Sequence, residues 1–259
     1  MLPPRARFFP VLFLVLWLPL VAASAPPPAE SATLLLRDAL AAESRFDTAA
    51  ALTLYLRAAA ARPSDAFIQQ KISRQYSDLA TDASTPTEKQ HLCSEALAHA
   101  QRAVALDPSN AAAVLSLAVS YGKLSLDADT RTRIEYSRFI RRYAEQALTL
   151  DPSSDYAHHV LGRWHYEVAT LGAAKRFLAR LIYDTLPDAT TADAVRHLQQ
   201  AVQLAPHRLA HQVELGFALL ADEQPAAARR AFEHALALPV SEKHDADFRR
   251  RASTALAAL

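Results

Sequence analysis

The residue types able to do chemistry in this 259-residue chain are ten histidines, one cysteine and a run of arginines. His207 and His211 stand one helical turn apart, and His158 and His165 share a helix face two turns apart. Neither pair has a carboxylate or cysteine at ligand spacing to complete a tetrahedral site, so solvated or hydrogen-bonded imidazoles are expected and no metal. Cys93 is alone, which permits no internal disulfide and predicts a small buried hydrophobe inside a helix. The chain has no Gly-rich phosphate loop, no H-E-x-x-H and no G-x-S-x-G, so no catalytic residue, no cofactor and no enzymatic activity are expected. Arg131, Arg133, Arg138, Arg141 and Arg142 alternate with Ile134, Tyr136, Phe139 and Ile140. That pattern has two readings. It is a helix with one buried face, or a basic strip along a groove that holds an acidic peptide or an anionic head group.

The elements that must position these residues are marked by a recurring signature. Five times an alanine precedes a proline by four or five residues: Ala58/Pro63, Ala103/Pro108, Ala147/Pro152, Ala201/Pro206 and Ala235/Pro239. Three residues before each alanine stands Tyr55, Ala100, Ala144, Leu198 or Phe232. After four of the prolines comes a branched apolar residue followed by a small one: Ile72-Ser73, Leu117-Ala118, Leu161-Gly162 and Leu215-Gly216. The small residue lets two helix backbones approach closely, and the proline stops one helix ahead of the next. Such a period predicts stacked helical hairpins. It resembles the tetratricopeptide repeat, whose unit is about 34 residues.

The prolines are spaced 45, 44, 54 and 33 residues apart, so the extra length falls inside the units, between their paired helices. The first two insertions predict second helices lengthened by about three turns. Helix starts are expected near Asp65, at the capping box Thr85-Pro86-Thr87-Glu88 and between Asp127 and Thr130, with Gly122 ending a helix. The third insertion reads as an extra amphipathic helix from Ala174 to Leu186. Phe177, Leu178, Leu181 and Ile182 lie on one face and Lys175, Arg176 and Arg180 on the other, as in a core-covering flap or a ligand-facing lid. A last helix, from about Glu242 to Ala258, should cover the stack with Phe248, Ala252 and Leu256 while Arg249 to Arg251 face water.

Composition agrees with an all-α chain. Hydrophobic residues make up 51% and glycines number only 4, with no run of period-two alternation that would suggest a sheet. The net charge of +1 argues for neither nucleic acid nor a membrane surface as partner. Residues 1–23 read as an export signal: Arg5 and Arg7, then an apolar run from Phe8 to Ala23 that is shorter than the ~20 residues of a spanning helix. Cleavage is expected after Ala23, with an uncleaved N-terminal membrane anchor as the alternative. Residues 24–31 form a Pro/Ala-rich linker and 32–259 the repeat domain.

The insertions sharpen the resemblance. Ser120-Tyr121-Gly122-Lys123-Leu124-Ser125, Leu161-Gly162-Arg163-Trp164-His165-Tyr166-Glu167-Val168, Thr185-Leu186-Pro187 with Ala194 and Ala201, and Leu236-Ala237-Leu238-Pro239 are similar to the regulator of microtubule dynamics family. The likeness covers about residues 45 to 259. It implies a tetratricopeptide-like solenoid, with association of some members with microtubules and an N-terminal membrane anchor in others. An exported chain meets no microtubules, so that partner is expected only if the chain is not exported. The combined expectation is about five helix pairs, an inserted helix and a C-terminal capping helix, acting as a non-catalytic scaffold. Its concave groove would hold a protein or peptide against Tyr76, Tyr121, Arg163, Tyr166, Arg138 and Arg141. The alternative is a carrier of an apolar or anionic lipid with the 174–186 helix as lid.

Overall fold

The computed structural model describes residues 29–172 and 188–259. The expected signal segment and inserted helix lie outside the described residues. Among the described residues there are eleven helices and no strand. They are α1 (Ala29–Ser44), α2 (Thr48–Ala61), α3 (Ala66–Asp82), α4 (Pro86–Leu106), α5 (Ala111–Ser125), α6 (Thr130–Leu150), α7 (Asp155–Ala169), α8 (Thr191–Leu204), α9 (Leu209–Ala221), α10 (Pro225–Ala237) and α11 (Asp245–Ala257). Consecutive pairs from α1/α2 to α9/α10 pack as five hairpins. The first helices α3, α5, α7 and α9 also touch one another in sequence, and α11 caps the last pair.

The repeating residues hold the hairpins shut. Ala58, Ala103, Ala147, Ala201 and Ala235 are all fully buried, as are Tyr55, Ala100, Ala144, Leu198 and Phe232 one turn earlier. Each signature alanine also closes its helix: its carbonyl accepts the N–H of Arg62, Asp107, Asp151, Ala205 or Leu238. Opposite them stand the small residues of the first helices. A methyl group on Gly162 would lie 2.5 Å from Leu198 Cγ and 3.2 Å from the Ala194 carbonyl oxygen, and one on Gly216 would strike the Phe232 ring. Most helix starts are capped by a side chain that accepts an otherwise orphaned N–H, from Asp47, Asp65, Thr85, Asn110, Asp129, Ser154 and Thr190. The capping box at Thr85 forms, with the reciprocal bond from Glu88 made to the Ser84 N–H.

Three expectations are corrected. Gly122 does not end α5, which continues to Ser125. It sits in the last turn of the helix with nothing within 4 Å of where a Cβ would be, because it faces open groove. Helices α4 and α6 have 21 residues against 14 for α2, an extension of two turns and not three. In α11, which starts at Asp245, only Arg250 of the arginine trio faces water. Arg249 donates to the Leu236 and Leu238 carbonyls, and Arg251 bonds the buried Glu214 at 2.7 Å.

One helix departs from the hairpin pattern. In α6 only Ala144 and Ala147 are buried, both in its C-terminal half. Its first three turns bury no residue fully; they rest on α5 through Tyr136 and Phe139 against Tyr121 and on α7 through the Ser137–Trp164 bonds, and form one wall of the groove.

The glycines yield opposite outcomes. Gly162→Leu should destabilise by about 1–3 kcal/mol through overpacking against Leu198. Gly122→Ala should stabilise by roughly 0.5–1 kcal/mol, since Ala replaces Gly within a helix with room for the methyl. Thermal and urea melts of the two variants check both signs.

Candidate functional site

The inner faces of α3, α5, α6 and α7 enclose a groove of about 1290 Å³. From α3 the side chains at helical spacing are Phe67, Gln70, Lys71, Arg74, Ser77 and Asp78, and from α5 they are Leu115, Ser116, Val119 and Lys123. The N-terminal part of α6 contributes Arg133, Ile134, Ser137, Arg138, Ile140, Arg141 and Arg142. From α7 come Tyr156, His159, Val160, Arg163, Trp164, Val168 and Leu171. Apolar residues thus alternate with cations on walls made by four helices.

The cations are held in different ways. Arg133 donates to the Ser125 and Ala128 carbonyls, both at 3.0 Å, and so satisfies the end of α5. Arg141 pairs with Glu145 at 2.7 Å and lies over the Trp164 ring, whose Nε1–H donates to Ser137. Arg142 donates to the Tyr143 hydroxyl and stacks on the Tyr143 and Phe139 rings. Lys71 pairs with Glu43 at 3.0 Å, and Arg74 reaches the same carboxylate at 3.5 Å. Lys123 is half-buried and donates to Thr81 Oγ1; desolvation lowers its pKa, opposed by the attraction of Asp78.

Beneath the groove runs a buried polar network. Glu214, 1% exposed, takes Arg163 at 2.6 Å and Arg251 at 2.7 Å and so ties α7, α9 and α11 together. His211 bonds Asp155 Oδ2 at 2.9 Å through Nε2 and His159 Nδ1 at 2.9 Å through Nδ1. Burial works against the Asp155 carboxylate, but the His211 hydrogen bond and Arg208 outweigh it and hold its pKa below the ordinary value. Desolvation, aided by the neighbouring His211 and Arg163, lowers the His159 pKa well below the ordinary value.

Of the six candidate groove residues, Arg138, Arg141 and Arg163 line the groove together. The other three point elsewhere. Tyr76 stacks on His99 with centroids 5.6 Å apart, Tyr121 packs among Tyr136, Phe139 and Tyr143, and Tyr166 packs against the core of the last hairpins. Arg163 is engaged by Glu214 and by Glu167 at 2.8 Å, so its charge is already balanced. His207 lies in the turn before α9, not one helical turn below His211 on the same face. His158 and His165 do share a face, and there they meet His197 of α8: His158 and His197 bring their Nδ1 atoms to 3.1 Å, and His165 stacks on His197. Among the described residues no group of three or more His, Cys, Asp or Glu side chains has metal-holding geometry. Sequence reasoning missed Trp164, Lys71 and Arg74 as groove residues. Their signal was present in the one-sided helical spacing of α3 and α7.

The sequence blocks Ser120–Ser125 and Leu161–Val168 thus lie on α5 and α7 and supply groove walls. The family model of Regulator of microtubule dynamics protein 1-3 matches residues 34–259. The chain belongs to this family. It is 30% identical over 136 residues to Regulator of microtubule dynamics protein 3 of Xenopus laevis, covering 52% of this chain and 29% of that one. It is 28% identical over 144 residues to Regulator of microtubule dynamics protein 1 of Bos taurus, covering 55% and 45%. The alignments therefore span less than half the length of these two relatives. Among solved structures it is similar to TTC0263, a thermophilic TPR protein of Thermus thermophilus, with a TM-score of 0.64 and 21% identity over 87% of this chain and 99% of that one. That likeness is one of fold, a tetratricopeptide-like solenoid.

The histidine cluster should make this member acid-sensitive. Desolvation lowers the pKa of His158 and His165 and takes His197 to about 4. In the unfolded chain all three return to about 6.5, so below that pH the unfolded state binds more protons. Stability should be fully present above pH 6.5 and fall as pH drops toward 4, by on the order of 2 kcal/mol after allowing for solvent screening of these partly exposed rings. His197→Asn should flatten that slope in melts recorded between pH 4 and 7.

Proposed function

We propose that the protein is a non-catalytic binding module, a scaffold that holds an acidic segment of a protein partner in its concave groove. The single observation that carries this reading is the α6 wall, which brings Arg138, Arg141 and Arg142 to one groove with apolar walls. Its first turns bury no residue fully. Guanidinium groups fit carboxylates and other oxyanions bidentately, and stacking on Trp164, Phe139 and Tyr143 pre-orients two of them. At about 1290 Å³ the groove exceeds the roughly 300–1,000 Å³ of small-molecule pockets, which favours an elongated occupant. The tetratricopeptide-like fold, whose stacked repeats offer a concave face to partners, supports the same class of function.

A second reading has an observation of its own. Leu115, Val119, Ile134, Ile140, Val160 and Leu171 line the groove beside the arginines, an arrangement that suits the chains and head group of an anionic lipid. Double reversal, Arg138→Glu with Arg142→Glu, should cut retention of the natural ligand at least tenfold, and wild-type retention should weaken with salt. Affinity purification followed by mass spectrometry of proteins and extracted lipids checks this and tells the two ligands apart. Retention that is unchanged in the double variant would sink both readings.

Export belongs to the same proposal, on the basic-apolar-small layout of residues 1–23. The mature chain then begins at Ser24 and carries 26 basic against 27 acidic residues. Microtubules, which the relatives' names point to, enter as a partner only for a chain kept in the cytosol by an uncleaved anchor. Intact-mass measurement on fractionated cells should find the form starting at Ser24 outside the cytoplasm, and a soluble cytosolic form retaining Met1 would contradict export.

A further inference from the structure

The connection from α10 to α11 reaches back to the opposite end of the solenoid. Lys243 Nζ pairs with Asp82 Oδ2 at 2.5 Å and donates to Thr48 Oγ1 at 2.7 Å, across 195 positions of sequence. His244 stands 3.8 Å from Asp78 and 4.0 Å from Asp82. Just before them, Glu242 accepts from the Tyr156 hydroxyl at 2.8 Å and pairs with Arg208 at 3.1 Å. Glu242, Lys243 and His244 all border the groove.

The two ends of this segment are held by different forces. Its root is fixed by buried, backbone-directed bonds. Asp245, 1% exposed, accepts from the N–H groups of Ser241 and Glu242 at 2.8 Å each, and Arg249 holds the Leu236 and Leu238 carbonyls. Its tip is held by side-chain ion pairs whose partners keep solvent access, 22% for Lys243 and 48% for Asp82. In a solenoid each repeat contacts only its neighbours, so a bond between the last repeat and the first two is no part of the stacking. We propose that Ser241–His244 is a latch: tied to α2 and α3 it closes the superhelix into a ring beside the groove, and its release admits an elongated ligand. This rests on the reading of the groove as the binding site. Partly exposed ionic ties weaken with salt while the buried root does not, so the latch opens at its tip.

The test uses the full chain with Lys243→Glu, with Asp82→Lys, and with both together. Amide hydrogen exchange at residues 243 and 244, beyond the Ser241 and Glu242 N–H groups that Asp245 holds, should speed severalfold in each single variant and return toward the wild-type rate in the charge-swapped pair. Raising NaCl from about 50 to about 500 mM should accelerate the same amides in the wild type, an arm that needs no variant to fold. The uncharged apolar dye Nile red, used as groove probe so that charge reversal at residue 243 does not repel it, should bind severalfold tighter to the single variants than to the swapped pair. Exchange that is unaffected by both charge reversal and salt would overturn the latch itself. Faster exchange with unaltered dye affinity would overturn its gating role. Dye that binds no form of the protein would instead remove the groove as a binding site, and the gate with it.

Discussion

Everything in this molecule depends on how closely two helices can approach inside one hairpin. Where Gly162 meets Leu198 and Gly216 meets Phe232 there is no room for a methyl group. The fully buried alanines of the second helices give the facing surface the same lack of bulk. Close packing of small against large residues removes apolar surface from water without leaving voids, and it sets the axis of each hairpin. With the axes set, the first helices α3, α5, α7 and α9 must line up beside one another, and a concave surface results.

The groove is built by departure from that economy. A second helix of 14 residues suffices to cover its partner, as α2 and α8 do. Helix α6 has 21, and the excess turns bury no residue, since both buried positions, Ala144 and Ala147, lie in the C-terminal half. They are stabilised by the Asp129 cap, by Arg133 on the α5 carbonyls and by contact with Trp164 and Tyr121. A wall with little core of its own can carry five arginines at low desolvation cost. A charge taken fully out of water needs partners of opposite sign, as the buried Glu214 needs Arg163 and Arg251.

That buried carboxylate shows how charge and packing cooperate at the far end of the stack. Glu214 bonds two arginines from two different helices, and Arg251 also lies over the rings of Phe217 and Phe248. The guanidinium planes fill space as aromatic neighbours would while neutralising a carboxylate cut off from water. The chain therefore ends its solenoid without a purely apolar cap, and α11 is located as much by this ion network as by Ala252 and Phe248.

By itself the sequence determined the fold class, the hairpin count and several helix starts, because these are local. A signature alanine, a proline and a capping side chain act within one or two turns, and the residues that do so are adjacent in sequence. The starts near Asp65, at Thr85-Pro86-Thr87-Glu88 and between Asp127 and Thr130 were legible for that reason. The arginines of α6 were legible as a strip, but not the wall that carries them into the groove. The face that Tyr76, Tyr121 and Tyr166 present, the partners of Arg249 and Arg251, and the meeting of His158 and His165 with His197 were decided by tertiary structure. Each turns on how far successive hairpins rotate about the superhelix axis, a sum of small angles at several interfaces. The contact of Lys243 with Asp82 and Thr48 is the extreme case. No local pattern encodes a bond across 195 positions, because it exists only once every hairpin between them has set the curvature.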